Sequence, residues 1–243
     1  LSDQDPADVA WKLVAVNLSD LAAKGAEPLG VLLGYQLGRD DARFLAGLQE
    51  ALSHFGTALL GGDTVSGEAS QALGLTAIGR ATYCPAPGRS GAKAGDGLYV
   101  TGPVGAAMMG YESLREGGDG SAETIAYRRP NALLAQGQAL APHVSAMMDI
   151  SDGLLLDASR LARASGVTLA LDSSAIPIAA PQDRRADALR WGDDYQLLFT
   201  APTSAKLPRD LAIRIGEAQP EKGSPLLLDG NSLSEKDGLG YQH

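Results

Sequence analysis

Met147-Met148-Asp149-Ile150-Ser151-Asp152-Gly153 follows a short apolar run, Val144 to Met148, and precedes an amphipathic segment, Leu154 to Ala164. That order spells a strand ending in carboxylates, with a helix beginning at once. Ser151 is placed to cap the helix, and Asp152 to sit in its first turn, where a negative charge is favoured. Read so, the stretch is a well-capped helix start. Two carboxylates three residues apart at the mouth of a strand-to-helix turn also form an oxygen-rich site for a hard cation. Both readings stand on this stretch alone.

The chain around it has 243 residues, enough for one large domain or two medium ones. A hydrophobic content of 44% supplies a real core and argues against disorder. Thirty glycines with only 5% aromatics favour an α/β protein with many tight turns over an aromatic-rich sandwich. Lys and Arg number 20 against 29 Asp and Glu, a net charge of −9, and no basic cluster stands out. A nucleic-acid surface is therefore not expected. An acidic protein can still hold a polyanion such as a nucleotide, provided divalent cations bridge the two. The single Cys84 excludes an internal disulfide and fits a reducing, cytoplasmic setting. No apolar run reaches membrane-spanning length and no signal peptide is visible, so no membrane association is expected. The chain starts at Leu1 without Met, and a missing N-terminal portion is expected.

Along the chain, Asp5-Pro6 opens a helix with Val9, Leu13 and Val16 as its buried stripe. Asp20 continues that stripe; Lys24 could pair with it, or Asp20 could point into a metal site. Gly25 closes the helix. A strand at Val31 to Leu33 precedes a helix begun by Asp40-Asp41, with Phe44, Leu48, Leu52 and Phe55 on one face. Ala58 to Leu60 reads as a short buried strand running into Gly61-Gly62-Asp63-Thr64, and Leu73 to Ala81 as another. Pro85 to Gly97 carries repeated Pro and Gly and marks a linker. Beyond it come a strand at Leu98 to Thr101 and helices at about Val104 to Glu116 and Asn131 to Leu140. Strands at Val167 to Leu171, Tyr195 to Phe199, Leu211 to Ile215 and Leu226 to Leu228 follow, the last turning at Asp229-Gly230-Asn231. Pro177 to Arg190 reads as irregular. The alternation predicts a layered α/β (α+β) protein of two domains, 1–90 and 91–243.

Several chemistries are absent. No P-loop, no GxGxxG after a strand, no HExxH and no GxSxG elbow is present. The three histidines, His54, His143 and His243, are scattered. What remains is a set of aspartates at the ends of apolar elements: Asp20, Asp63, Asp149, Asp152 and the Asp193/Asp194 pair. Each alone suits a cap or a turn. Together they point to metal-assisted phosphoryl chemistry without a P-loop.

The segments VNLSDLAAKGAEP (16–28), GGDT (61–64), SGAKAGD (90–96), MMDISDGLLLD (147–157) and GDDYQLLFT (192–200) resemble, in order and spacing, the thiamine-monophosphate kinase family. That family belongs to the superfamily of aminoimidazole-ribonucleotide synthetase and selenophosphate synthetase. The resemblance implies the two-domain architecture of that superfamily, here with a truncated N-terminal domain. It implies ATP- and Mg²⁺-dependent conversion of thiamine monophosphate to thiamine diphosphate by direct in-line γ-phosphoryl transfer, in a homodimer. It also implies roles: Asp20, Asp63, Asp149 and Asp152 as metal ligands; Gly62, Asp63, Arg89 and Ser151 as ATP contacts; Asp193 and Tyr241 as substrate contacts. No side chain is implied as a catalytic acid, base or nucleophile. Arg80 rivals Arg89 as the ATP-contacting arginine. Asp193 stands where the family usually has Glu. The family's N-terminal GDDA motif and its T-D segment do not occur. A sister ATP-dependent synthetase or cyclo-ligase, or a non-catalytic relative of the fold, remains the alternative.

Overall fold

The computed structural model describes residues 4–67, 71–118 and 122–241. His243 lies outside them. The first helix, α1 (Pro6–Ala22), is capped by Asp5, whose carboxylate accepts the Ala7 amide at 2.9 Å, with Pro6 at the first helical position. β1 (Ala26–Gln36), α2 (Asp41–His54), β2 (Leu59–Val65) and β3 (Leu73–Ala81) follow. They build a three-stranded sheet of order β2-β1-β3, with β1 parallel to β2 and antiparallel to β3. The two helices cover one face, and Trp11, Val14, Leu18, Leu33, Tyr35, Phe44 and Leu48 fill the space between.

Two expectations change here. The buried positions of α1 are Ala7, Asp8, Ala10, Trp11, Val14, Ala15, Leu18, Ser19 and Ala22, with Val9, Leu13 and Val16 only half-buried and Asp20 exposed. The helix is packed on several sides, by α2, β3 and α5 (Leu134–Leu140), so its periodicity does not single out one face. β2 is longer than expected and exposed at every residue, because it lies at the sheet edge beyond the reach of the helices.

The remainder forms a seven-stranded sheet from β4 (Gly97–Val100), β5 (Ala146–Asp149), β6 (Val167–Leu171), β7 (Leu197–Ala201), β8 (Ile213–Pro220), β9 (Leu226–Leu228) and β10 (Asn231–Leu233). Its order is β10-β9-β6-β8-β4-β7-β5, antiparallel except for β6 beside β9. The helices are α3 (Ala106–Arg115), α4 (Ala122–Arg128), α5, α6 (Leu154–Ser165) and α7 (Arg185–Ala188). The segment 177–190, expected to be irregular, thus contains the short α7, and α4 was not foreseen.

β5 explains why the stretch at 147–148 is apolar without alternation. Successive side chains on a strand point to opposite faces. Met148 enters the core that includes Leu154, Leu155, Leu161 and Leu198, on the α6 side. Met147 enters a second cluster with Phe199, Leu197, Leu140, Ala22 and Ala23. That cluster joins the end of α1 and α5 to the seven-stranded sheet, so the sheet is covered on both faces and α1 ends beside β5. No helix among the described residues is long and apolar enough to cross a membrane.

Candidate functional site

The turn at 149–153 has a cavity on each side. The first, of about 340 Å³, is lined by Asp20, Lys24, Arg89, Ser90 and Asp149 among others. Asp149 ends β5 and is only 5% exposed; the Ser19 hydroxyl donates to its Oδ2 at 2.7 Å. Burial pushes the Asp149 carboxyl above the usual range and the Asp20 charge adds to this, while the Ser19 hydrogen bond opposes it. Burial pushes the Lys24 ammonium down and Arg89 does the same, against Asp20 and Asp149. No ion pair joins Asp20 to Lys24, because α1 ends at Ala22 and Lys24 has left the helical register. The cavity thus brings two carboxylates and two cations together from both sheets' elements.

The second cavity, of about 740 Å³, is lined by Tyr111, Tyr127, Ser151, Asp152, Trp191 and Asp193 among others, and Tyr241 also faces it, 62% exposed. Here the expected cap is corrected. α6 begins at Leu154, its N-cap is Gly153, and neither Ser151 nor Asp152 is within it. No side chain caps the helix; the buried Asp157 carboxylate instead ties down the preceding turn, accepting the Ser151 and Asp152 amides at 3.0 and 2.9 Å. Burial pushes Asp157 up to about 6 despite those bonds. Arg160 pairs with both Asp152 and Asp157.

The segment 192–195 is laced to the same turn. The Asp193 amide donates to the Ser151 carbonyl and the Tyr195 amide to the Ile150 carbonyl, both at 2.9 Å. Asp193 and Tyr195 hold left-handed backbone, φ 65° and 51°, a strained state for non-glycine residues that these bonds maintain. The Asp193 carboxylate receives the Tyr195 hydroxyl at 2.9 Å and the Lys12 ammonium at 2.8 Å. Lys12, Tyr111, Tyr127 and Trp191 were missed by sequence reasoning. Lys12 alone left a trace, as a cation inside the apolar stripe of α1.

Asp194 faces the other way. It accepts the Gly105 and Ala107 amides at 2.7 and 3.3 Å, at the start of α3. Burial pushes its carboxyl up to about 7, against those backbone donors. The folded chain therefore holds this proton where the unfolded chain, near 3.8, has lost it. Stability contributed by the proton is present at low pH and is lost as pH rises through about 7. Asp194→Asn removes the titration and should leave only a pH-independent offset from one weakened amide contact. The Tm of wild type minus that of the variant should fall between pH 4.5 and 8, by roughly 2–4 °C for each kcal/mol of proton linkage. Parallel Tm profiles would refute this.

The four expected metal ligands are divided by the fold. Asp20 and Asp149 share the first cavity, and Asp152 lines the second beside Asp193. Asp63 and Gly62 line neither; they lie on exposed β2, where Asp63 accepts the Thr64 amide at 2.9 Å. A Cβ on Gly62 would collide with the Leu33 carbonyl, so glycine here permits the close β1–β2 approach. Among the described residues, no three His, Cys, Asp or Glu side chains are grouped to hold a metal ion. Arg89 reaches the first cavity, whereas Arg80 is 71% exposed and paired with Glu27 at 2.8 Å on the β1–β3 sheet.

Residues 1–81 match the family described as AIR synthase related protein, N-terminal domain, and residues 93–223 its C-terminal domain. The thiamine-monophosphate kinase of Salmonella typhimurium is 37% identical over 261 residues, covering 99% of this chain and 77% of that protein. A solved thiamine-monophosphate kinase from Stenotrophomonas maltophilia superposes with a TM-score of 0.84 at 31% identity, over 95% of this chain and 81% of that one. A structure described as AaThiL complexed with AMPPCP and TMP superposes with a TM-score of 0.86 at 29% identity, over 96% of this chain and 80% of that one.

Proposed function

We propose that this chain, which belongs to the thiamine-monophosphate kinase family of AIR synthase related proteins, transfers the γ-phosphoryl group of ATP directly to the phosphate of thiamine monophosphate. The observation that carries the reading is the first cavity, where α1 and β5 bring Asp20 and Asp149 beside Arg89 and Lys24. The relative solved with AMPPCP and TMP supports the same pair of substrates. The boundary between the two domains is placed at 90/91, between β3 and β4.

Joining two phosphates means bringing two polyanions into contact, so repulsion is the main obstacle. Mg²⁺ fits the chemistry of the first cavity. Such an ion is ordinarily held by one or two carboxylates, with waters and substrate phosphates completing its shell, and needs no closed protein cage. Asp20 and Asp149 would hold it there, and Asp63 and Asp152 are assigned the same task by resemblance. When bound with ATP, magnesium would neutralise and align the phosphate oxygens. The chain's own side chains do the rest. Ser19 fixes the Asp149 carboxylate, Arg89 offers a planar fork to phosphate, and Lys24 adds a second positive charge. Gly62 and Ser151 are proposed ATP contacts, and Asp193 and Tyr241 substrate contacts. The attacking phosphate oxygen is already ionised near neutral pH, since the second ionisation of a phosphate monoester falls near about 6. No general base is needed for that attack.

Incubation with ATP, MgCl₂ and thiamine monophosphate should give thiamine diphosphate in amounts equal to the ADP formed; ADP without thiamine diphosphate would reject the reading. Within that assay, Arg89→Ala should raise KM for ATP by roughly ten- to a hundredfold, the worth of a charge-assisted contact. Arg80→Ala should change it little. The opposite ranking would exchange the two assignments.

A homodimer is proposed as well. The sheet face away from α1 and α2 carries Leu29, Leu32, Leu60 and Ile78 at 39–53% exposure, an apolar patch that suits pairing of two copies. A cytoplasmic setting is proposed from the nucleotide substrate and the single free Cys84.

A further inference from the structure

Two residues lining the second cavity, Asp193 and Tyr127, already hold an organic cation supplied by the chain itself. The Lys12 ammonium lies 2.8 Å from the Asp193 carboxylate and 3.8 Å from the centre of the Tyr127 ring. It therefore makes the two contacts that any cationic ring entering this cavity would seek, a carboxylate and an aromatic face. Further rings extend that face: Tyr111 is 5.2 Å from Tyr127 and 5.2 Å from Trp191, centre to centre. Lys12 is on α1 and Asp193 on the opposite wall, so the pair also spans the two sheets' elements. Neither side chain is fully buried, at 20% and 32% exposure, so exchange of the partner does not require unfolding.

We propose that Lys12 is an internal stand-in for the positively charged heterocycle of the substrate, holding Asp193 against Tyr127 until that ring displaces it. The inference rests on the substrate reading above and extends it: thiamine monophosphate carries a quaternary thiazolium, a permanent cation on an aromatic ring. Asp193 and Tyr127 then select for charge on the ring, and Lys12 sets how much affinity that selection yields. The Lys12 ammonium keeps the Asp193 carboxylate paired and placed. It also makes binding of the thiazolium an exchange of one cation for another, which limits the gain. Neutral rings, unable to replace Lys12, leave the pair intact and bind through their phosphate alone.

The test is calorimetric titration, without ATP, of wild type, Lys12→Met, Lys12→Arg and Asp193→Asn. The two probes are thiamine monophosphate and the neutral thiazole phosphate that lacks the quaternary nitrogen. Lys12→Met keeps the length of the side chain and removes its charge. It should tighten thiamine monophosphate by roughly three- to tenfold and leave the neutral phosphate unchanged. Lys12→Arg should bind both probes like wild type. Asp193→Asn should weaken only the cationic probe, and adding Lys12→Met to it should have no further effect. Weaker binding of both probes by Lys12→Met would overturn the proposal and make Lys12 a phosphate ligand. Unchanged binding of both would overturn it as well. A wild-type chain that binds neither probe would instead reject the substrate reading itself. Circular dichroism melts confirm that each variant compared is folded.

Discussion

Asp149→Asn is expected to lower kcat by roughly 10²–10³-fold, the order of loss that follows removal of one preorganised electrostatic contact in an active site, with no loss of thermal stability. The two halves of that expectation come from the same observation. Asp149 is buried, and burial already pushes its carboxyl above the usual range, so ionising it carries a desolvation cost. Asparagine keeps the shape and an oxygen for the Ser19 hydroxyl, and it removes the charge that burial penalises. The fold should therefore keep its Tm or gain slightly. A buried carboxylate retained despite such a cost is best explained by work it does on a cation or a phosphate-bound partner. Ser19→Ala, which leaves the charge but not its anchor, should show a smaller loss, with MgCl₂ dependence shifted to higher concentration. Near wild-type kcat in Asp149→Asn would remove the first cavity from the mechanism. A loss of kcat accompanied by a fall in Tm would mark Asp149 as structural.

The sequence carried the elements better than their mutual placement. Val167–Leu171 and Leu226–Leu228 are strands at the residues expected, since short apolar runs between turn signals have few other solutions. The turn at Asp229-Gly230 was legible for the same reason: both residues hold positive φ, 50° and 80°, as a tight two-residue hairpin requires. The cap of α6 was not legible. Ser151 has the right chemistry, but the helix starts two residues later than that reading needs, at Gly153 with no side-chain cap, and Asp157 from inside the helix holds the turn's Ser151 and Asp152 amides. The candidate site divides similarly. Asp20 and Asp149 stood out as carboxylates at element ends, and the fold does set them on one cavity. Tyr111 and Tyr127 meet through the packing of α3 against α4, and Trp191, from the segment after α7, joins them through Tyr111. Nothing in their spacing announces a shared wall.

That placement rests on one close approach, and a single methyl group should disturb it. Gly137 is buried in α5, and a Cβ there would run into the Ala22 carbonyl at the end of α1. Helix propensity alone favours Gly137→Ala by about 1 kcal/mol. The collision is with backbone, which cannot turn aside, and overpacking of this kind costs roughly 1–3 kcal/mol. The net expectation is a Tm lower by a few degrees, at about 2–4 °C per kcal/mol for a chain of this size. The functional loss should be much larger. Ala22 and Ala23 anchor α1 to Met147 and Phe199 of the large sheet, and Asp20 and Lys24 lie within two residues of that anchor. Lifting the helix by a fraction of an ångström moves both away from Asp149, and misplacement of about 1 Å can cost roughly 10²-fold in rate. Assayed well below its Tm, Gly137→Ala should therefore lose about ten- to a hundredfold in kcat/KM. Gly74→Ala is the control: it lies on β3 with open space where its Cβ would stand, and should change neither quantity. Wild-type kcat/KM in Gly137→Ala would show that the cavity tolerates movement of α1. The juxtaposition of Asp20 with Asp149 could then no longer be the geometry on which phosphoryl transfer depends.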